Sequence, residues 1–107
     1  MNILLDEGVP RIIQRRLSDL PISTVEEMGW RGIKNGKLLN LMAGQFGILV
    51  TTDKNLPHQQ NLGKRQISAI IIPTNEIPLV IALLPEIEEA LMTIETGSFI
   101  EITMPTA

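Results

Sequence analysis

Short apolar runs alternate along this chain with longer segments in which apolar residues recur at helical spacing. The short runs are rich in Ile, Leu and Val, which is typical of buried strands. They occupy residues 3–5, 22–25, 48–52, 67–72 and 98–103. The last run alternates apolar with polar positions, and we expect it to form an edge strand. The pattern therefore predicts a sheet of four or five strands.

Three longer segments carry the helical spacing. In the first, apolar residues recur at spacings of 4, 4 and 3 and predict an amphipathic helix that starts near Pro10 and ends near Pro21. The second helix is predicted over residues 38–46 and the third over residues 77–94. Pro85 lies inside the third segment. Because proline lacks the amide proton and clashes with the preceding turn, we expect a break or kink there.

Two polar segments interrupt the alternation. Residues 26–36 contain three glycines and predict a loop, and residues 53–65 predict a long loop with or without a short helical turn. The alternation of strands and helices predicts one three-layer α/β/α domain over residues 1–107, with a mostly parallel sheet. We expect the strand order 2-1-3-4. This order places the carboxyl ends of the first and third strands side by side, where ligands bind in such folds.

The net charge of −3 conceals an asymmetry. Nine Lys and Arg and six Asp and Glu lie at or before residue 65, whereas six Glu and no basic residue follow it. Such a domain can present a basic surface to nucleic acid despite its acidic overall balance. Unrelated solvated faces would give the same counts, so both interpretations stay open.

Other global features limit the class of protein. The chain has no cysteine, which excludes thiol catalysis, disulfides and cysteine-based zinc sites. We see no secretory signal pattern and no apolar stretch long enough to span a bilayer. We therefore expect a cytoplasmic protein without membrane contact. Self-association into a homodimer is also expected for so small a chain with long apolar segments.

Two acidic strand ends carry the candidate chemistry. Asp6 follows the first apolar run and Asp53 follows the third. In the expected order these strands are neighbours, about 4.8 Å apart, so both carboxylates could hold one Mg²⁺ or Mn²⁺. Such an ion lowers the pKa of a bound water and neutralises charge on a phosphoryl group. Both acids are also ordinary turn formers, and that alternative remains.

Several polar residues near these acids are candidates for binding a substrate. They are Arg31, Lys34, Asn35, Lys54, Asn55 and Gln59. The basic side chains suit phosphate contacts and the amides suit phosphates or base edges, although each could equally be a solvated surface residue. Asn35 is also a candidate N-cap of the second helix.

Three further residues have competing interpretations. Glu7 is a weaker metal ligand than Asp6, because successive strand residues point to opposite faces, and it could instead favour the start of the following helix. Trp30 could stack on a base, or pack at the margin of the core. His58 is the only histidine, and with no G-x-S-x-G context we reject a serine hydrolase. We find neither a Walker motif nor a dinucleotide fingerprint.

The order of these motifs resembles a known family. ILLDEGVP opens the chain, VEEMGWRGIKNGKLLNLM follows the second predicted strand, and ILVTTDKNLPHQQNL covers the third strand and the loop after it. Over nearly its full length the chain resembles the small PIN-like nucleases of predicted bacterial toxin-antitoxin modules. The LLDE opening and the TTDKNLPHQQNL segment are the most specific parts of the resemblance.

The resemblance implies a PIN-like fold, a ribonuclease activity that depends on Mg²⁺ or Mn²⁺, an RNA substrate, and a cognate antitoxin as protein partner. It implies that Asp6 is the principal metal-binding acid, with Glu7 beside it as a further catalytic acid. It implies Asp53, in the T-x-D motif, as the second metal ligand.

One departure from the family leaves two hypotheses. PIN nucleases cluster three or four acids, whereas this chain has Asn35 where many relatives place Asp, and only Glu26 and Glu27 are nearby substitutes. The first hypothesis is a metal-dependent endoribonuclease toxin. The second is a non-catalytic module that binds nucleic acid or a protein partner. A receiver-like regulator shares the strand layout, but its required Lys is absent, since no Lys follows Lys64.

Overall fold

The computed structural model describes residues 2–105 and contains a sheet built from the apolar runs. Its strands are β1 (Ile3–Leu5), β2 (Ile22–Thr24), β3 (Ile48–Thr51), β4 (Ser68–Ile71) and β5 (Phe99–Glu101). All neighbouring strands are parallel, in the order β2-β1-β3-β4-β5. The predicted adjacency of the first and third strands and the edge position of the last strand are confirmed.

Helices cover both faces of this sheet. They are α1 (Ile12–Arg16), α2 (Val25–Met28), α3 (Asn35–Met42), α4 (Leu56–Gln59), α5 (Leu62–Arg65) and α6 (Ile77–Thr93). α1 and α6 pack on one face, and α3, α4 and α5 pack on the other together with Val25 of α2. The sheet is therefore the middle layer of an α/β/α domain, as predicted.

Side chains of the central strands alternate between two cores. Leu5 and Val50 join the core under α1 and α6, whereas Leu4 and Leu49 join the core under α3, α4 and α5. Because successive strand residues point to opposite faces and both faces are covered, the central strands are apolar at almost every position. This double burial is why the strands appear in the sequence as continuous apolar runs.

The first helix is shorter than predicted. α1 ends before Leu17, whose φ of −104° and ψ of 49° are not helical. The Leu20 N–H donates to the Leu17 carbonyl at 3.0 Å, so a turn follows the helix. Both leucines still pack against the core under α1 and α6. The apolar stripe thus predicted burial correctly but helix length incorrectly.

The second strand also ends earlier than predicted, because a helical turn begins at Val25. The Thr24 hydroxyl accepts from the Glu27 N–H at 3.0 Å, and Glu27 Oε1 accepts from the Thr24 N–H at 2.9 Å. This reciprocal capping box satisfies two amide groups that the first turn of a helix leaves without partners. The segment predicted as a strand end and a loop therefore starts with α2.

Of the break or kink predicted at Pro85, the break is wrong, since α6 runs without interruption through the proline. The proline is exposed, whereas Leu83, Leu84 and Ile87 around it are buried against the sheet. Packing on both sides of the proline therefore holds the helix together despite the missing amide hydrogen bond.

The polar segment over residues 53–65, predicted as a long loop with or without a short helical turn, contains two single-turn helices, α4 and α5. Leu56 and Leu62 anchor them in the core on that side of the sheet. Among residues 2–105, none of the helices has the length and apolar character needed to cross a membrane.

Candidate active site

A polar cleft lies at the carboxyl ends of β1 and β3. The register pairs Leu5 with Val50, and the Asp6 N–H donates to the Val50 carbonyl at 2.9 Å. Asp6 is therefore held at the sheet edge directly beside the end of β3. The cleft has a volume of about 530 Å³ and is lined by Asp6, Glu7, Gly32, Ile33, Lys34, Asn35 and Asp53.

Thr51 connects the two aspartates of this cleft. Its hydroxyl donates to Asp6 Oδ2 at 2.8 Å and its oxygen accepts from the Asp53 N–H at 3.1 Å. The threonine is 1% exposed, so its rotamer is fixed by the surrounding core. Thr51, the last residue of β3, thus orients the carboxylate of Asp6 and the backbone of Asp53.

Asp53 also forms the turn that the sequence left open as an alternative role. Its Oδ1 accepts from the Asn55 N–H at 2.9 Å, which is an Asx-turn geometry. The same residue lines the cleft with Asp6. The two interpretations are therefore compatible, because one carboxylate oxygen shapes the turn while the carboxylate as a whole faces the cleft.

Glu7 lines the same cleft as Asp6, contrary to the expectation that it would point away. The chain leaves the strand geometry after Leu5, so the alternation of faces no longer applies. Glu7 Oε1 accepts from the Gly32 N–H at 2.7 Å, and Gly32 has a φ of +81° that glycine adopts readily. This bond fastens the glycine-containing loop to the acidic strand end.

The electrostatics of the cleft favour a bound cation or proton. Burial raises the pKa of the Asp6 carboxyl above its ordinary value, and hydrogen bonds from Thr51 and the Glu7 N–H only partly oppose the increase. The negative charges of Asp53 and Glu7 raise this pKa further. A cation between these carboxylates would relieve both their mutual repulsion and the cost of burying Asp6.

Lys34 and Asn35 also line the cleft. The N-cap interpretation of Asn35 is wrong, because Lys34 occupies the N-cap position with an extended backbone and Asn35 is the first residue of α3. Asn35 has a φ of +42°, a left-handed conformation that Asn tolerates better than most residues. Its side chain belongs to the cleft wall rather than to a cap.

The other predicted binding residues do not line this cleft. Arg31, Lys54, Asn55 and Gln59 are exposed and lie outside its lining residues. Arg31 precedes Gly32, and Lys54 and Asn55 follow Asp53, so these three flank the cleft along the chain. Of the six predicted binding residues, the structure thus places Lys34 and Asn35 in the cleft beside the acids.

The aromatic residues pack rather than face the cleft. Trp30 contacts Phe46 edge to face, with ring centroids 5.9 Å apart, at the margin of the core beneath α3. His58 makes a similar contact with Phe99 at 5.6 Å. The packing interpretation of Trp30 is therefore correct.

The carboxylates of the cleft form a sparse donor set for a divalent cation. Within residues 2–105, no three Asp, Glu, His or Cys side chains form a group that could hold a metal ion. The substitute acid Glu27 is used elsewhere, because it accepts from Gln14 and caps α2. Asp6 and Asp53 remain as two carboxylates at one cleft, which suits Mg²⁺ or Mn²⁺ when water and substrate phosphate supply the other oxygens.

Sequence reasoning missed Thr51 and Gly32. A signal for Thr51 existed, since it is a hydroxyl residue at the end of an otherwise apolar buried strand and two residues before an acid. No local signal distinguishes Gly32 from the other glycines of its loop, because its partner lies 25 residues away.

Comparison of the chain with known protein families, with curated proteins and with solved structures found no significant match in any of the three. The fold and the cleft are therefore interpreted from their own geometry, and the resemblance to PIN-like nucleases stays a prediction.

Proposed function

We propose that this chain is a metal-dependent endoribonuclease that hydrolyses phosphodiester bonds in RNA. The observation that carries the proposal is the convergence of Asp6 and Asp53 at one cleft, joined through the Thr51 hydroxyl. The site lies where the winding of the parallel sheet reverses, between β1 and β3, which is where such folds bind ligands. The resemblance in the LLDE and TTDKNLPHQQNL segments supports the same activity.

In this proposal the residues of the cleft have distinct tasks. Asp6 and Asp53 would hold a divalent cation, which when bound supplies positive charge to the phosphoryl group and acidifies water. Lys34, which lines the same cleft, binds a phosphate oxygen of the substrate. Glu7 keeps the loop at Gly32 closed against the strand end and adds negative charge near Asp6.

The decisive experiment compares two aspartates. Purified protein is assayed on single-stranded RNA with Mn²⁺, with Mg²⁺ and with chelator, for the wild type and for Asp6→Asn and Asp19→Asn. Asp19 is exposed and lies before β2, at the opposite edge of the sheet, so it is a control of equal charge change. We expect metal-dependent cleavage that falls about 100-fold or more in Asp6→Asn, the scale of losing one electrostatic contact to a transition state.

Cleavage that persists in chelator, or that Asp6→Asn leaves intact, would contradict this function. Equal loss in both aspartate variants would point to a general effect of charge rather than to the cleft.

A second candidate function is a non-catalytic module that binds nucleic acid or a protein partner. The observation that favours it is the lack, within residues 2–105, of a group of three acids that could hold a metal ion, although Glu7 lines the cleft and bonds the Gly32 N–H. Calorimetric titration with Mn²⁺ separates the candidates. Absence of metal binding, together with RNA binding and no cleavage, would favour the second one.

The toxin role and a cognate antitoxin are proposed from the resemblance. Action in the cytoplasm and a homodimeric state are proposed from the sequence pattern and the small, apolar chain. Induced expression in a bacterial host should arrest growth, and Asp6→Asn should abolish the arrest while Asp19→Asn should not. Light scattering after size exclusion tests the homodimer. A monomer mass would remove self-association from the proposal without affecting the nuclease chemistry.

A further inference from the structure

We propose that Arg65, with Asn40 and Gln60, forms a second phosphate-binding subsite that holds the backbone of single-stranded RNA beyond the Asp6–Asp53 cleft. The inference deepens the proposed function and rests on it for the identity of the ligand. It concerns residues outside the set predicted from the sequence and outside the lining of the cleft.

The guanidinium of Arg65 is held in place by neutral partners. Arg65 is partly buried at the end of α5; its Nη1 donates to Asn40 Oδ1 on α3, and its Nη2 lies 3.4 Å from Gln60 Oε1. Amide oxygens orient the guanidinium but do not neutralise its charge. A guanidinium has five N–H donors in a planar fork, so donors remain that match the oxygens of a phosphate.

Gly36 lies beside this guanidinium and puts no side chain of its own against it. A Cβ at Gly36 would lie 3.8 Å from Arg65 Nη2 and 3.7 Å from Gln60 Oε1, so the space beside both groups is free of a side chain. Lys34 and Asn35, the two residues before Gly36, line the cleft itself. The first turn of α3 therefore runs from the acidic cleft directly to Arg65.

The surrounding charges favour an anion at this place. Lys37 follows Gly36 on α3 and Lys64 precedes Arg65 on α5, and both lysines are exposed. In the proposed complex, one continuous RNA strand places a phosphate at Lys34 in the cleft and a second phosphate at Arg65. A flexible single strand can follow such a path, whereas the bases stay free for other contacts.

The test measures RNA binding without cleavage. A fluorescently labelled single-stranded RNA of about eight nucleotides, within the site sizes of single-strand binders, is titrated in metal-free buffer at several salt concentrations. Each phosphate contact contributes about 0.7 to the slope of log affinity against log salt for single strands. We expect Arg65→Gln to make this slope shallower by about 0.7. The control is Arg16→Gln, because Arg16 is exposed on α1 at the other face of the sheet. It should leave the slope unchanged.

A second variant guards against unfolding of Arg65→Gln, since that residue also joins α3 to α5. Gly36→Asp keeps Arg65 and places a carboxylate beside its Nη2, at the first turn of a helix where an acid is tolerated. It should reproduce the shallower slope while the thermal midpoint stays near that of the wild type.

The outcomes separate this subsite from the nuclease proposal. Equal slopes for Arg65→Gln and Arg16→Gln, or failure of the wild type to bind the RNA, would overturn the subsite. A slope change with no cleavage in Mn²⁺ would leave the subsite standing and remove the catalytic function. If the wild type cleaves RNA and neither Arg65→Gln nor Gly36→Asp changes RNA binding, the subsite is overturned and the catalytic function stands.

Discussion

At the scale of single residues, Thr51 determines how the cleft is organised. It is the one polar side chain of β3 and it is buried, yet its hydroxyl has partners on both sides. A buried hydroxyl without partners would cost free energy, so its two hydrogen bonds fix both its rotamer and the position of Asp6. The acid that would hold the metal is therefore positioned from a neighbouring strand.

Thr51→Val should weaken metal binding and stability together. Valine has nearly the same shape but leaves Asp6 Oδ2 without its donor and the Asp53 N–H without its acceptor. We expect the affinity for Mn²⁺ to fall about 10- to 100-fold, as for other residues that orient metal ligands. The free energy of unfolding should fall by about 1–2 kcal/mol. Calorimetry and urea unfolding measure the two effects.

Thr51→Ser is the matched control for that substitution, because it keeps the hydroxyl. If serine reduced metal affinity as much as valine did, loss of the hydroxyl and its hydrogen bonds would not be the cause.

The raised pKa of Asp6 makes the stability of the protein depend on pH. At low pH the carboxyl is protonated in both the folded and the unfolded state, and its burial costs little. As pH rises from the ordinary pKa of 3.8 through the raised folded-state pKa, the unfolded state ionises more readily, so the free energy of unfolding decreases. Asp6→Asn mimics the protonated carboxyl, so its free energy of unfolding should not show this decrease as pH rises.

Urea unfolding in metal-free buffer over a pH series tests this expectation. The two proteins should be about equally stable in acid, and Asp6→Asn should be the more stable near neutral pH. Mn²⁺ should stabilise only the wild type, because ligands that bind the folded state raise its stability. The expectation is contradicted if, in metal-free buffer, the free energy of unfolding of the wild type rises relative to that of Asp6→Asn as pH increases.

At the scale of elements, local hydrogen bonding and packing changed what periodicity predicted. The T-x-x-E signature of a capping box is present at Thr24 and Glu27, and it replaced the expected strand end with α2. Hydrogen bonds from Gln14 and from the Thr24 backbone lower the pKa of the Glu27 carboxyl, which keeps the cap ionised. The signature was readable from the sequence, so this difference came from giving too much weight to the apolar run.

Pro85→Ala should stabilise the protein, because α6 continues through this position. Alanine restores the amide donor and removes the clash of the ring with the preceding turn. We expect the free energy of unfolding to rise by up to about 3 kcal/mol, the difference between the two residues in a helix interior. Urea or thermal unfolding measures the change.

Pro78→Ala is the control, since Pro78 lies in the first turn of α6, where proline is well accommodated. It should change stability little. Similar gains in both variants would mean that Pro85 is no worse placed than Pro78.

At the scale of the whole molecule, the fold places part of the basic charge of the first half on the face opposite the glutamates of α6. The six Glu after residue 65 include Glu76 before α6, three on α6 and one on β5. Lys37, Lys64 and Arg65 lie on α3 and α5, which cover the opposite face from α6. RNA is therefore expected on the face of α3 and α5.

Two double variants of equal net charge test this assignment. Lys37→Gln with Lys64→Gln removes two charges near Arg65, and Arg15→Gln with Arg16→Gln removes two from α1. The lysine pair should make the salt slope of RNA binding shallower by up to about 1.4, the value for two phosphate contacts. The arginine pair should leave it unchanged. Equal effects of the two pairs would show that only the net charge matters.

Much of the fold was readable from the sequence because its causes are local or general. Buried parallel strands are apolar at both faces, amphipathic helices repeat their apolar positions, and crossovers have one hand. From these rules came the layers and the parallel strands, whereas the adjacency of β1 and β3, and hence the meeting of Asp6 with Asp53, depended on an assumed strand order. Helix ends at Leu17 and the continuity at Pro85 depend on packing against other segments, which periodicity does not report.

The sequence by itself determined that Asp6 and Asp53 each follow a buried apolar strand, and it predicted an acidic cleft only on the assumed strand order 2-1-3-4. The tertiary structure has that order, which places the ends of β1 and β3 side by side so that the two acids line one cleft. Only the tertiary structure decided which side chains complete it. Thr51 meets Asp6 across 45 residues, Gly32 meets Glu7 across 25, and Arg65 meets Asn40 across 25. Such contacts depend on the register and packing of whole elements, and no local pattern of residues records them.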